Sequence, residues 1–305
     1  MEIVTAAVVT TEVLTHNYGE VRALDRVSVE IPPGITGLVG ANGAGKTTLL
    51  RILLGLVHPT GGRAVVMGHD AITDPLSVRS RSGYMPENNC LPKDQTAADF
   101  VAYAAELAGL PTSEARQRAS ETLFLVGLEE ERFRFLGDFS TGMAQRVKLA
   151  QAIVHGPELV LLDEPNSGLD PVGREQMLDL IRRLGAFGIN VIFSSHVLSD
   201  IEETCQSVVL LDGGRLVRSG PVEGLGATST ITIELIGPVE LFIAALSRQG
   251  LEPTGHGQQV VLANVTDEVF DLVRDTAAGL GLGILGMAPA TRSLEDEFLT
   301  RSVEG

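Results

Sequence analysis

Along this chain, hydrophobic and polar positions first alternate and then run together. Over residues 11–39 the alternation comes in short runs, ended by Gly19 and by Pro32-Pro33-Gly34. A period of two closed by turn residues predicts antiparallel strands. The last of these runs, ITGLV at 35–39, is apolar almost throughout and reads as a buried strand. The run LLRILLGL at 49–56 reads as a helix, and 63–67 and 82–85 as further short strands. Residues 96–127 are rich in Ala, with an apolar spacing of about 3.6. They predict two helices broken around Gly109-Leu110-Pro111. Another helix is expected over 143–155, with Val147, Ala150 and Val154 on one face. The segments ELVLLDE, REQMLDLIRRLGAF, NVIFSSH, LSDIEETC and SVVLLDGGRLVRSG then alternate strand with helix. That alternation argues a largely parallel sheet with helices on both faces. The Asp212-Gly213-Gly214 turn makes the last segment a hairpin.

The pattern changes at 224–229 (GLGATS), a linker of small residues. Beyond it the reading is strand 230–236, helix 239–249, strands 251–255 and 258–263, helix 267–279 and strand 282–287. A short acidic helix is expected from Ser293 to Leu299. The order βαββαβ predicts a small ferredoxin-like domain. The expected domains are 1–225 and 226–305.

Composition narrows the function. At 305 residues and 44% hydrophobic, the chain can bury a full core. No stretch approaches the roughly 18–20 uninterrupted apolar residues of a membrane span. No basic, then apolar, N-terminal pattern of a secretory signal is present. The formal net charge of −16 repels nucleic acid and anionic lipid. No nucleic-acid partner is expected. Cys90 and Cys205 are the only cysteines and lack metal-type spacing, which fits a reducing cytoplasm. Only three basic residues are lysines: Lys46, Lys93 and Lys148.

Lys46 falls in the most informative run of the chain, GANGAGKTT at 40–48. Strand, Gly-rich turn and helix N-terminus follow one another, the context that a phosphate-binding loop requires. Gly40, Asn42, Gly43, Ala44 and Gly45 would turn successive backbone N–H groups inward to cradle phosphate oxygens. Partial positive charge at the helix N-terminus adds to this. Lys46 would bridge the β- and γ-phosphates, Thr47 would ligate Mg²⁺, and Thr48 completes the run.

Two more strand ends carry polar groups. LVLLDE at 159–164 is an apolar strand that ends in two carboxylates. Ligands bind at the C-terminal ends of such strands. Asp163 would hold Mg²⁺ through water, and Glu164 would act as general base beside the attacking water. VIFSSH at 191–196 ends in His196, which could donate to a γ-phosphate and sense its presence. FSTGMAQ at 139–145 precedes a helix that Ser140 could cap. It also offers a hydroxyl and free N–H groups, a second anion site. The chain already has one such site, which suggests that the second serves a neighbouring subunit.

The ordered set GANGAGKTT, FSTGM-AQR, LVLLDEP, SGLD and SSH resembles the nucleotide-binding subunit of an ABC transporter over about residues 10–225. The resemblance implies an α/β P-loop ATPase core with a mostly parallel sheet, an antiparallel β-subdomain and a helical subdomain. The ferredoxin-like α+β domain would follow. It implies two copies packed head to tail, with ATP between the phosphate loop of one and the signature loop of the other. Ser140 and Gly142 would then contact the γ-phosphate across the interface. Asp170 of SGLD would help position Glu164, and Tyr18 of NYG would stack on adenine.

Two departures from the family pattern stand out. The signature reads Phe-Ser-Thr-Gly-Met where Leu-Ser-Gly-Gly-Gln is common, and Glu87 in GYMPE stands where Gln is usual. A carboxylate at Glu87 either helps to hold Mg²⁺ or turns toward the membrane partner. GYMPE, STGM and the C-terminal LEDEF look like exporter-type subunits of resistance and lipid or polysaccharide export systems. The expected activity is ATP hydrolysis that drives export through a separate membrane-spanning permease. The chain would be cytoplasmic and peripheral on the membrane, with contacts near residues 85–110. The rival readings are a soluble non-transport ATPase of this type and an effector-regulated module. The second domain would bind that effector, or else only support the dimer.

Overall fold

The computed structural model describes residues 6–88, 90–222, 231–262 and 267–289. The chain divides into two compact units, Met1–Pro221 and Val222–Gly305. The expected linker at 224–229 and the acidic helix from Ser293 lie outside the described residues.

The first unit opens with β1 (Val9–Tyr18) and β2 (Val21–Ile31), paired antiparallel around the Gly19 turn. β4 (Gly61–Val66) and β5 (His69–Asp70) extend this sheet in the order β2-β1-β4-β5. The central sheet holds β3 (Ile35–Val39), β6 (Ser82–Met85), β7 (Leu159–Leu162), β8 (Asn190–Ser195), β9 (Ser207–Asp212) and β10 (Arg215–Pro221). Its order is β10-β9-β3-β8-β7-β6, and only the β9–β10 hairpin is antiparallel. β8 therefore lies between β3 and β7, and the C-terminal ends of all three reach one edge. β3 and β7 are buried at every position, as their near-continuous apolar runs require.

Helix α1 (Lys46–Leu53) follows β3 and buries Leu49, Leu50, Ile52 and Leu53 between the two sheets. Each such burial contributes roughly 1.5–3 kcal/mol. A short helix that the sequence reading had not anticipated, α2 (Pro75–Arg81), starts with proline at its first position and precedes β6. The helical segment consists of α3 (Ala97–Leu107), capped by Thr96, and α4 (Thr112–Leu125). α5 (Thr141–Ile153) begins two residues before the predicted start because Ser140 caps it, accepting from the Met143 N–H at 3.3 Å. α6 (Pro171–Ala186) and α7 (Leu198–Thr204) flank β8 in sequence. Among the described residues no helix is long and apolar enough to cross a membrane.

The second unit contains β11 (Ile231–Ile236), α8 (Val239–Arg248), β12 (Thr254–His256), β13 (Gln259–Leu262), α9 (Asp267–Gly279) and β14 (Gly283–Pro289). Its sheet is antiparallel in the order β12-β13-β11-β14, the arrangement of a split βαβ domain. Ile231, Ile233, Leu235, Phe242, Leu246, Val260 and Leu262 are in its own core. The expected strand 251–255 is shorter and later, because 251–253 make no ladder pairs.

One close approach ties α5 to the central sheet. A Cβ on Gly83 of β6 would lie 1.9 Å from the Ala152 carbonyl O of α5. Neither backbone can yield cheaply, so Gly83→Ala is expected to destabilise the fold by about 1–3 kcal/mol. A urea denaturation midpoint equal to that of the parent chain would refute this.

Candidate active site

The phosphate loop takes its shape from glycine. Gly43 and Gly45 have φ of 84° and 100°, where a side chain is strained. A Cβ on Gly45 would also lie 2.5 Å from the Ala23 carbonyl O, and one on Gly40 would lie 2.4 Å from the Leu211 carbonyl O. Gly45 sits at the N-cap of α1 with no side-chain cap, so the first N–H groups of α1 remain open to a ligand. Lys46 is buried, and its Nζ donates to the Gly40 carbonyl O at 2.6 Å and the Ala41 carbonyl O at 3.4 Å.

The same Nζ lies 3.2 Å from Glu164 Oε1, an ion pair without good hydrogen-bond alignment. Glu164 Oε2 meets His196 Nδ1 at 2.9 Å. An ionised carboxylate there requires the proton on Nδ1. Glu164 has φ of 48°, a backbone conformation that costs a residue with a side chain of order 1–3 kcal/mol. The strain turns the carboxylate back from the end of β7 toward Lys46.

Ser194 of β8 holds Asp163 by its carboxylate and Glu164 by its backbone. Its hydroxyl donates to Asp163 Oδ1 at 2.9 Å and accepts the Glu164 backbone N–H at 2.8 Å. Thr47 Oγ1 donates to the same Asp163 Oδ1 at 3.1 Å. Ser194 is fully buried, which its place between β3 and β7 explains. Sequence reading used only His196 of the SSH run. A serine at the end of a strand this apolar was the signal for Ser194.

Asp163 is 1% exposed, and its Oδ2 is buried without a partner. An orphaned buried carboxylate oxygen beside a threonine hydroxyl fits a hard divalent cation. Among the described residues no cluster of three or more His, Cys, Asp and Glu could hold a metal. Such a cation would find one or two protein oxygens here and would take its other ligands from phosphate and water.

Tyr18, Asn42, Gly43, Ala44, Gly45, Lys46, Thr47, Thr48, Glu87 and Glu164 line one cavity of about 430 Å³. Tyr18 is half exposed at its rim, with its ring edge-on to buried His16 at 4.4 Å between centroids. The Glu87 side chain is exposed, while its backbone carbonyl accepts from Lys148 Nζ at 2.9 Å. His196 reaches this cavity only through Glu164.

The remaining expected residues gather elsewhere. Ser140, Gly142 and Asp170 line a second cavity of about 470 Å³ that shares no lining residue with the first. Asp170 Oδ1 accepts the Gly173 N–H at 2.7 Å and so caps α6. Gln145 of α5 donates to the Ser167 carbonyl O at 3.0 Å, fastening the signature helix to the SGLD turn. Asn166 and Arg174 both bond the buried Asp200 of α7, at 2.9 and 2.7 Å. This network holds the segment after Glu164 against the segment after His196.

The parallel sheet, the phosphate loop after β3 and the carboxylate pair after β7 define a P-loop ATPase. Residues 24–167 match the sequence model of the family described as ABC transporter. An ABC transporter ATP-binding protein of Nostoc sp. is 37% identical, covering 92% of this chain and 84% of its own. The bacitracin transport ATP-binding protein BcrA of Bacillus licheniformis is 36% identical, over 72% of each chain. Among solved structures, cbiO1 of Clostridium perfringens superposes with a TM-score of 0.66 at 26% identity. It covers 72% of this chain and 90% of its own. The chain belongs to the ATP-binding subunits of ABC transporters: it binds ATP and is an ATPase.

Ser194→Ala removes the hydroxyl that bonds the Asp163 carboxylate and the Glu164 backbone. Its expected effect is a loss in kcat of roughly ten- to a hundred-fold, the scale of a small misplacement, with ATP affinity kept. Steady-state hydrolysis beside equilibrium ATP binding separates the two. An unchanged kcat would return Ser194 to the core.

Proposed function

We propose that this chain is the ATP-hydrolysing subunit of an export system, working as a head-to-tail pair beneath a separate membrane-spanning permease. The separation of Lys46 and Ser140 into different cavities carries this reading. One copy offers a phosphate cradle with its metal carboxylate and base. The other offers the N-terminus of α5 with the Ser140 hydroxyl. A second copy related by a two-fold would complete each cradle with a signature. MJ0796, described as a dimeric bacterial ABC transporter cassette, supports the pairing. It is 25% identical with a TM-score of 0.64, covering 70% of this chain and 98% of its own.

The proposed roles follow from the contacts. Backbone N–H groups at 43–48 and Lys46 bind the β- and γ-phosphates, and Tyr18 stacks on adenine. Thr47 and Asp163 would hold Mg²⁺, which when bound neutralises phosphate charge. The entering phosphate competes with Glu164 for Lys46, and its arrival frees the carboxylate. Glu164 then takes a proton from water while the water oxygen bonds to the γ-phosphorus, and the bond to the ADP oxygen breaks. His196 holds Glu164 from its other oxygen. Asp170 fixes the turn beside the signature. Glu87, anchored through its backbone and exposed at the cavity that it lines, serves coupling to the permease.

Export is favoured by GYMPE and STGM, and by the printed names of relatives that concern bacitracin transport and daunorubicin/doxorubicin resistance. A methionine import protein is equally similar, at 36% identity, so similarity alone does not set direction. Exposed Tyr103 and Leu107 in α3 offer the apolar contact for a membrane partner near residues 85–110. The domains proposed are 1–225 for ATP binding and 226–305 as an appendage that supports the dimer.

Glu164→Gln keeps the size of the side chain but removes the base. Hydrolysis is expected to fall by about 10²–10⁴-fold while ATP binding persists, and Mg-ATP is expected to yield a dimer on sizing. Turnover near the parent rate would contradict the assignment of Glu164. In native membranes, the tagged full chain is expected to co-purify with an integral membrane protein that alters its ATPase rate. Recovery wholly from the soluble fraction, with no such partner, would contradict the transport reading.

A further inference from the structure

Two of the three lysines are buried, and the phosphate loop accounts for only Lys46. Lys148 is 2% exposed in α5, about two turns from Ser140. Burying an ammonium carries an effective penalty of several kcal/mol, and an apolar side chain of the same length would avoid it. What answers the charge is a main-chain carbonyl of another segment. Nζ donates to the Glu87 carbonyl O at 2.9 Å, on the loop that lines the nucleotide cavity. The groups around it are Asp163, Glu87 and Cys90. Burial lowers the Lys148 pKa, and the negative or ionisable neighbours pull it partly back.

The tether also joins elements that cannot slide freely. α5 and β6 meet so closely at Gly83 and Ala152 that no side chain fits between them. β6 leads directly into the Glu87 loop, and α5 leads back to the capped Ser140. A shift of the loop on nucleotide arrival would therefore reach the signature through a short, packed path.

We propose that Lys148 is a positioning residue that couples the chain's own nucleotide site to its signature helix, so that a filled cradle presets the signature offered to the second copy. This rests on the reading that each site is completed by a second copy. In the Glu164→Gln chain, the Mg-ATP concentration that half-saturates dimer formation is read by sedimentation. Adding Lys148→Met is expected to raise that concentration on the order of ten-fold, within the usual range of intersite coupling. Binding of ATP to the monomer is expected to stay unchanged. Dimerisation at the same ATP concentration overturns the proposal. A parallel loss of monomer binding also overturns it, because Lys148 would then belong to the cradle or the fold. If the Glu164→Gln chain itself fails to dimerise, the composite-site reading is at fault instead. A second measurement does not depend on how the Met variant folds. With saturating Mg-ATP and protein below its dimerisation concentration, amide exchange at residues 140–146 of the Glu164→Gln chain is expected to slow. Unchanged exchange there overturns the coupling.

Discussion

A buried ammonium must be answered, and the way Lys46 is answered organises the catalytic edge of this protein. Its partners are two loop carbonyls and the carboxylate of Glu164. Glu164 meets it just beyond β7, with a strained φ of 48°. That strain persists because neighbours fix the residue from several sides: Ser194 through its backbone N–H, His196 and Lys46 through its two oxygens. The strand order makes this possible by setting β8 between the strand of the phosphate loop and the strand of the carboxylates. Fold and site are thus one constraint: three strand ends aligned so that Lys46, Asp163, Glu164 and Ser194 meet.

The pair also gives the resting protein a defined readiness. With Lys46 and Glu164 facing each other, the two groups that phosphate and water need are held on one another. In the proposed cycle nucleotide phosphate would exchange one anion for another at Lys46, so the cradle would not bury a new unpaired charge. Asp163 differs, because its outer oxygen has no partner in the protein. It is the point at which the proposed site would take its cation.

Much of this was legible in the sequence, for physical reasons. Buried parallel strands read as apolar runs, so β3, β7 and β8 and the polar groups at their ends stood out. Gly40, Gly43 and Gly45 were legible because only glycine tolerates their contacts or φ. The separation of Ser140 from Lys46 could be expected, since the sequence offered two candidate anion sites. Side-chain partners were harder to read. Nothing in SSH says which of its two buried serines meets Asp163 and Glu164, and nothing in the period of α5 says that Lys148 points to the Glu87 loop. α2 was missed because its single buried residue, Val78, leaves no periodic stripe. The cap role of Asp170 lay hidden in SGLDP, where aspartate before proline signals a helix start as readily as a catalytic loop.

The central claim is that the chain carries two halves of different nucleotide sites. A structure of the Glu164→Gln chain with Mg-ATP tests it most directly, by locating the group nearest the γ-phosphate opposite Lys46. The account predicts the Ser140 hydroxyl of a second copy there, at about 2.5–3.0 Å from a phosphate oxygen. A γ-phosphate capped by residues of its own chain, or left open to water in a monomer, would contradict it.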